Sequence, residues 1–386
     1  MKIFEGKNIP IKSWCNNPED GALNQARNIA SLPFMFKQVC LMPDTHQGYG
    51  MPIGGVIATK GVVIPNAVGV DIGCGMCAMK TSLTNLTQEE IKQIFGGIRK
   101  RIPVGFNHRN KNELWDGFNN APQLTVVQSE IESAKKQLGT LGGGNHFIEL
   151  QKGSDGFIWI MIHSGSRNFG YKIAKYYNQV AQELCKKWYS NIPEFKGEDG
   201  LAFLPLDTKE AKEYLKAMNF ALEFAYENRK RMLRDICESI FEVFECDFEP
   251  EINIHHNYAR MENHFGHNVM IHRKGATSAK AGQYGIIPGS QGTSSYIVIG
   301  KGNKESFMSC SHGAGRKMSR KKAKEELSLE HEKQSLDKLG IIHSIRNKSD
   351  LDEASSAYKD IAVVMKEQED LVDVFIELRP LGVVKG

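Results

Sequence analysis

The texture of this chain changes twice, and that change constrains its fold more than any one motif does. Up to about residue 170, short apolar runs rich in β-branched residues alternate with glycines, as in Gly54-Gly55-Val56-Ile57-Ala58 and Gly61-Val62-Val63-Ile64-Pro65. Runs of this length bounded by turn residues read as short buried strands. From about 171 to 245 the pattern becomes helical, broken by a Gly/Pro-containing loop between Ser190 and Pro205. Asp207 with Glu210 has the form of a capping box, and Met218, Leu222, Ala225, Met232, Ile236 and Ile240 recur at three-, four- or seven-residue spacing. That spacing draws one apolar stripe along a long helix. Strand-like, glycine-rich sequence returns from 251 to 312, and a last helical region starts near Arg316. The expected architecture is α+β: one large mixed-sheet catalytic domain over residues 1–386, with a helical arm at about 171–245 that packs and braces.

Composition removes several classes. With 41% hydrophobic and 24% charged residues, the chain is neither disordered, collagen-like nor a disulfide-dense scaffold. No stretch approaches the ~18–20 apolar residues of a membrane span, and the segment from Met1 to Trp14 lacks the apolar run of a signal peptide. A cytoplasmic protein with no membrane partner is expected. The 49 Lys and Arg against 45 Asp and Glu leave a charge of +4, compatible with an acidic substrate but not specific for nucleic acid. Eight cysteines scattered along the chain favour reduced thiols.

Polar residues gather at the ends of the apolar runs. The clearest buried strand, Phe157-Ile158-Trp159-Ile160-Met161-Ile162, delivers His163-Ser164-Gly165-Ser166-Arg167 to a strand end. Asp71-Ile72-Gly73-Cys74-Gly75-Met76-Cys77 sets a carboxylate and a thiol three residues apart in a turn able to fold around an ion. Its C-x-x-C lacks both the second cysteine pair of a zinc ribbon and the strand-to-helix setting of a redox dithiol. Metal binding, redox chemistry and buried structural thiols therefore stay open. Gly142-Gly143-Gly144 lets the backbone approach a ligand and then presents Asn145 and His146; on a strand, His146 would face one side and Phe147 and Glu149 the other. Adjacent His255 and His256 face opposite sides of a strand, so at most one serves a given ion. His264-x-x-His267 reads first as ordinary surface histidines, with a ligand pair on a helical turn as the alternative.

His312 stands before Gly313-Ala314-Gly315-Arg316, a turn whose amides and guanidinium suit an anion. The hydroxyl-rich loop Pro288-Gly289-Ser290-Gln291-Gly292-Thr293-Ser294-Ser295 has similar potential. Arg316, Lys317, Arg320, Lys321, Lys322 and Lys324 crowd a helix start, where negative charge is preferred, and so point to phosphate or RNA contact. Read from residues alone, one Asp, one Cys and three histidines, with a further histidine beside phosphate-binding elements, indicate a metal-dependent phosphoryl or nucleotidyl transferase. A noncatalytic RNA-binding or metal-storage protein is the competing class, and a cysteine-based redox enzyme the third.

Taken in order, the segments resemble the RtcB family of RNA ligases. The resemblance rests on Met42-Pro43-Asp44-Thr45-His46, Val70-Asp71-Ile72-Gly73-Cys74-Gly75, Gly142-Gly143-Gly144-Asn145-His146-Phe147, His163-Ser164-Gly165-Ser166-Arg167, His255-His256-Asn257-Tyr258, His272-Arg273-Lys274-Gly275-Ala276, Pro288-Gly289-Ser290, Ser311-His312-Gly313-Ala314-Gly315-Arg316 and Tyr358-Lys359-Asp360. It implies GTP- and Mn²⁺-dependent joining of RNA 2′,3′-cyclic-phosphate or 3′-phosphate ends to 5′-hydroxyl ends, in tRNA splicing or RNA repair. A noncatalytic metal- and RNA-binding homologue is the alternative.

The resemblance further implies that Asp71, Cys74, His146, His163 and His256 hold two Mn²⁺ ions with Cys74 shared, although donor preference alone would attract zinc. It implies His312 as the nucleophile that forms a histidine-GMP intermediate, from which GMP passes to the RNA 3′-phosphate before the 5′-hydroxyl attacks. Nucleotide contacts are implied at Asn145, Phe147, Glu149, Asn257, Pro288, Gly289, Ser290, Ser295, Gly313, Ala314, Gly315, Arg316, Tyr358 and Lys385. A carboxylate such as Glu149 can accept from guanine N1–H and N2–H, a donor pair adenine lacks. Val383 and Val384 are expected to anchor the tail that carries Lys385. Asp44 and Arg167 are implied as active-site residues of undefined role, and an accessory activator protein is a further partner the reading allows.

Overall fold

A computed structural model describes residues 1–188 and 200–385 of the chain. Its apolar runs pair into two main sheets. The first has six strands in the order Lys2–Phe4, Ile11–Ser13, Met35–His46, Ile53–Thr59, His267–Lys274 and Asn257–His264. The second has seven, in the order Ile252–His255, Gly75–Lys80, Ile158–Ser164, Phe147–Gly153, Val372–Lys385, Ser295–Gly300 and Tyr284–Ile287. Among these, only Ile11–Ser13 pairs in parallel, with Met35–His46. A short ribbon of Ala276–Ser278 with Ser309–Ser311 leads to His312. The expected mixture of sheets and helices is present, and among the described residues no helix is long and apolar enough to cross a membrane.

Register in the second sheet aligns residues far apart in the chain. Lys385 lies opposite Phe147, Phe147 opposite His163, and His163 opposite Met76, so one row crosses four strands. Ile158–Ser164 is buried at every position because helices cover one face of the sheet and, on the other, the sheet packs against its own strands through Ile286, Ile297 and Ile376. A strand covered on both faces reads as a continuous apolar run, not an alternating one.

The helical texture resolves into Arg167–Lys187 and a 33-residue helix, Lys209–Phe241. The loop placed between Ser190 and Pro205 lies largely outside the described residues. The stripe from Met218 to Ile240 is buried as its spacing predicts. It packs on the helices Gln88–Arg101 and Arg167–Lys187 and on strands Gly75–Lys80, Ile158–Ser164 and Ile252–His255.

Three local expectations are corrected. The long helix is capped not by Asp207 but by Thr208, whose hydroxyl accepts from the Ala211 amide; threonine is an equally good cap, one residue on. The basic helix starts at Arg320, capped by Ser319, while Arg316 lies before it in a bridge to Tyr358. His264 and His267 sit on no helical turn: they face each other across a hairpin closed by Phe265 and Gly266, both in the left-handed region.

Candidate active site

The segments that carry the predicted donors end where the two sheets meet. Cys74 immediately precedes strand Gly75–Lys80, His146 immediately precedes Phe147–Gly153, and His163 lies at the end of Ile158–Ser164. His256 is the one residue between Ile252–His255 of the second sheet and Asn257–His264 of the first. Two donor groups result: Cys74, His163 and His256, and Asp71, Cys74 and His146, each with donor atoms within 4.8 Å of one another. The Cys74 thiol is common to both, 3.2 Å from His163 Nε2 and 3.4 Å from His146 Nε2. His146 Nε2 is also 3.2 Å from Asp71 Oδ2. Close approach demands small residues here, since a Cβ at Gly142 would collide with the His146 ring and Arg167, and one at Gly165 with the Asp71 carboxylate.

The chemistry of these donors fits divalent metal. His163 Nδ1 donates to the Asn145 carbonyl at 3.0 Å, an acceptor that fixes the tautomer and leaves Nε2 with its lone pair. Burial, reinforced by neighbouring histidines, drives the proton affinity of His163 and His256 down, so both rings are neutral donors. Burial and the Asp71 carboxylate push the Cys74 thiol up, so a bound cation is needed to hold it as thiolate. Cys77 points into a separate apolar cluster, and burial pushes its thiol up to about 12; it is a structural thiol. His255 faces away from the donors, as adjacent strand positions require, and bonds Arg229 and the Gly73 carbonyl, each at 3.1 Å.

His312 comes in from the short ribbon that ends at Ser311, its ring centre 4.8 Å from that of His256. Asp44, fully buried near the end of strand Met35–His46, is its partner. One carboxylate oxygen, Oδ2, receives His312 Nδ1 at 2.6 Å, the His312 amide at 3.0 Å and the Gly313 amide at 3.2 Å. Burial alone would raise the Asp44 carboxyl, but the charge and hydrogen bond of His312 outweigh it and the net shift is downward. An ionised carboxylate only accepts, so Nδ1 carries the proton and Nε2 is the nitrogen available to attack. This corrects one expectation. The first amides of the Gly313-Ala314-Gly315 turn are taken by a protein carboxylate and do not point free towards an anion.

Beyond His163 the cross-strand row continues to Phe147 and Lys385. Val383 and Val384, both buried, pair with Glu149 and Ile148 and anchor the tail as expected. Glu149 is 3% exposed and accepts from Gln151 Nε2 at 2.6 Å; the same amide reaches Ser295 Oγ at 3.1 Å, which also receives the Gly289 amide. Burial pushes the Glu149 carboxyl up to about 8, against the opposing pull of Gln151 and Lys385. Ser290 is turned inward to Thr293, and Pro288 lies against Gly313.

One buried carboxylate that sequence reasoning missed, Glu353, gathers this side of the site. It pairs with Arg320 at 2.8 Å, Arg316 at 3.3 Å and Lys385 at 3.9 Å, and takes the Tyr358 hydroxyl. Burial would raise Glu353, but Lys385 and the two arginines bring it down. Arg316 is further committed to the carbonyls of Met318 and Asp352 and stacks over Tyr358. A cleft of about 240 Å³ opens at Gly144, Gln291, Glu353 and Lys385. The larger groove, about 810 Å³, lies behind His255 beside Trp115 and Tyr226, and no metal donor lines it.

Two more unforeseen residues come from the long helix. Asn228 and Arg229 are fully buried in its largely apolar face. Asn228 receives the amides of Gly139 and Thr140, and Arg229 binds the carbonyls of Gly73 at 3.0 Å and Ser164 at 2.8 Å, behind Cys74 and His163. Arg167, with φ 58°, binds Thr140 Oγ1 and the Gly105 carbonyl; a non-glycine residue held there costs of order 1–3 kcal/mol and is over-determined by its surroundings. Asn257 braces the Asp71 carbonyl and the Gly275 amide. A polar pair hidden in an amphipathic helix has a weak sequence signal: the break in the stripe between Ala225 and Met232.

Known proteins share this sequence along its length. A family profile described as tRNA-splicing ligase RtcB matches residues 25–121 and 110–386. RNA-splicing ligase RtcB of Escherichia coli is 40% identical across 100% of this chain and 99% of its own length. tRNA-splicing ligase RtcB of Nanoarchaeum equitans is 33% identical across 99% of this chain and 96% of its own. That of Thermococcus kodakarensis is 32% identical, covering 95% and 92%.

Proposed function

The chain belongs to the RtcB family of RNA-splicing ligases, and from that premise we propose that it joins RNA 2′,3′-cyclic-phosphate or 3′-phosphate ends to 5′-hydroxyl ends in a GTP-dependent reaction serving tRNA splicing or RNA repair. The observation that carries this reading is the juxtaposition of His312, its Nδ1 proton held by Asp44, with two donor groups that share one thiol. A nucleophilic nitrogen fixed beside a cluster suited to divalent metal is the arrangement nucleotidyl transfer needs.

His312 Nε2 attacks the α-phosphorus of GTP. The P–N bond forms as the bond to pyrophosphate breaks, and the Asp44 carboxylate balances the positive charge that develops on the ring. GMP then passes from His312 to an oxygen of the RNA 3′-phosphate, and the 5′-hydroxyl displaces it to form the phosphodiester. A cyclic phosphate is first hydrolysed to the 3′-monophosphate: water adds to the phosphorus as the bond to the 2′-oxygen breaks, and that oxygen leaves as the 2′-hydroxyl. Asp71, Cys74, His146, His163 and His256 hold two manganese ions, which supply charge neutralisation on the phosphate oxygens. Glu149 and Lys385 receive the guanine, and Asn145, Phe147, Ser290, Ser295 and the 313–316 turn shape the pocket. The whole chain acts as one catalytic domain, with the long helix bracing the loops that carry the donors.

The test is incubation with α-labelled GTP and Mn²⁺, beside His312→Ala. Acid-labile, alkali-stable label on the protein, dependent on Mn²⁺ and absent from the variant, is the expected result. A folded, metal-loaded protein that takes up no label would leave a noncatalytic metal- and RNA-binding protein instead.

A further inference from the structure

Three apolar side chains on segments tied to the site stand in solvent: Phe106 at 103% of its reference exposure, Tyr49 at 59% and Val70 at 48%. Isolated apolar side chains on a surface are ordinary; exposed aromatics on segments fixed to a polar site are suited to contact. Phe106 is not on a loose loop. Gly105, left-handed at φ 65°, donates to the Leu141 carbonyl at 3.0 Å, and the Asn107 amide donates to Val104 at 3.2 Å. Arg109 grips the carbonyls of Leu138 and Gly139 at 3.0 and 2.7 Å. The Gly105 carbonyl accepts from Arg167 Nη2 at 2.6 Å, and that guanidinium lies against Gly142, beside the His146 ring and in the field of Asp71. Phe106 thus stands one residue from a group that borders two metal donors.

Tyr49 is tied to the site as well. Its carbonyl accepts from Lys274 Nζ at 2.5 Å, and the residue after that lysine, Gly275, packs against the His312 ring. Lys274 also reaches the Asn66 carbonyl at 3.2 Å, in the turn that leads through Gly69 and Val70 to Asp71. One aromatic is thus tied through its segment to the donors, the other to His312.

On the reading that the substrate is RNA, we infer that Phe106 and Tyr49 are stacking platforms for the terminal nucleobases of the RNA ends. Charge alone attracts a strand without registering its end, and its effect fades with salt. An aromatic face takes any base, so it can seat the ends of RNAs of different sequence, and its removal costs about 5- to 150-fold in affinity per stacked base.

The test is fluorescence anisotropy with a short single-stranded RNA ending in a 3′-phosphate, for the wild type, Phe106→Ala, Phe106→Trp and Tyr49→Ala at low and high salt. Guanylylation of each variant, which uses no RNA, reports a folded site. Each alanine is expected to weaken binding by about 5- to 150-fold with an unchanged salt slope, and tryptophan to restore it. Equal affinity of Phe106→Ala and wild type overturns the inference, as does a loss confined to low salt. Wild-type binding without ligation overturns the ligase reading and leaves the inference standing; ligation with undiminished binding by Phe106→Ala does the reverse.

Discussion

Asp44 does for His312 what no sequence pattern announces: 268 residues away in the chain, it fixes which ring nitrogen carries the proton. Asp44→Asn keeps the shape but supplies an amide where an acceptor is needed, so the wrong tautomer gains. Guanylylation should fall by about 10²- to 10⁴-fold while the fold survives, read as label uptake against the circular dichroism of the same sample. Glu149 gives a pH dependence. With its carboxyl pushed up to about 8, it is mostly protonated at neutral pH, yet accepting from guanine needs the carboxylate. GTP binding therefore releases a proton, and the KM for GTP should fall as pH rises towards about 8 and level above it. For folding the sign is opposite: a carboxyl raised above its ordinary 4.5 takes up a proton on folding, so its contribution weakens as pH rises through that window. Glu149→Gln should flatten the KM profile and raise KM by about 10-fold or more. The donors were legible one by one because each sits in a short, chemically distinctive segment. Glu353 was not, because a lone carboxylate among Asp350, Asp352 and Glu353 in Lys348–Glu353 differs from its neighbours only by being buried.

Elements explain how such residues are held. The strand Val372–Lys385 ends in register with Phe147–Gly153, so deleting residues 383–386 removes both a ladder end and the Lys385 ammonium. Guanylylation should fall by about 10²-fold or more, and Lys385→Ala, which leaves the strand in place, separates the two contributions. The long helix makes a different prediction. Arg229→Met removes the donors that hold the Gly73 and Ser164 carbonyls; leaving such acceptors unsatisfied costs about 1–3 kcal/mol each. Thermal denaturation should show the loss, and metal titration a weakened site. Periodicity revealed this helix and its stripe, since both follow from 3.6 residues per turn. It did not reveal the partners, because strand order depends on contacts made across hundreds of residues. The basic segment illustrates both sides: its charge was plain, but Arg316 turns inward and the half-exposed Arg320 pairs with the same Glu353, while Lys321 and Lys322 reach only Glu325 and Glu326 at the surface. Neutralising those two lysines should reduce RNA affinity most at low salt.

At the scale of the whole molecule the site is a meeting of two sheets. Asp44 belongs to the first, Cys74, His146, His163, Glu149 and Lys385 belong to or adjoin strands of the second, and His312 follows the short ribbon that Ala276–Ser278 forms with Ser309–Ser311. Metal bound by donors from four separated segments stabilises only the folded chain. A saturating concentration near 100 times the dissociation constant should add about 2.7 kcal/mol. Chelation should lower the unfolding temperature accordingly, and Cys74→Ala should abolish the difference, since its thiol serves both donor groups. Calorimetry with and without Mn²⁺ measures both.

His256 is the one-residue crossing from one sheet to the other, and Asn257, the first residue beyond it, clamps Asp71 to Gly275. On the proposed reading, ions held by these donors would act as a clasp on that crossing, and amide hydrogen exchange should slow in both sheets together when metal is added.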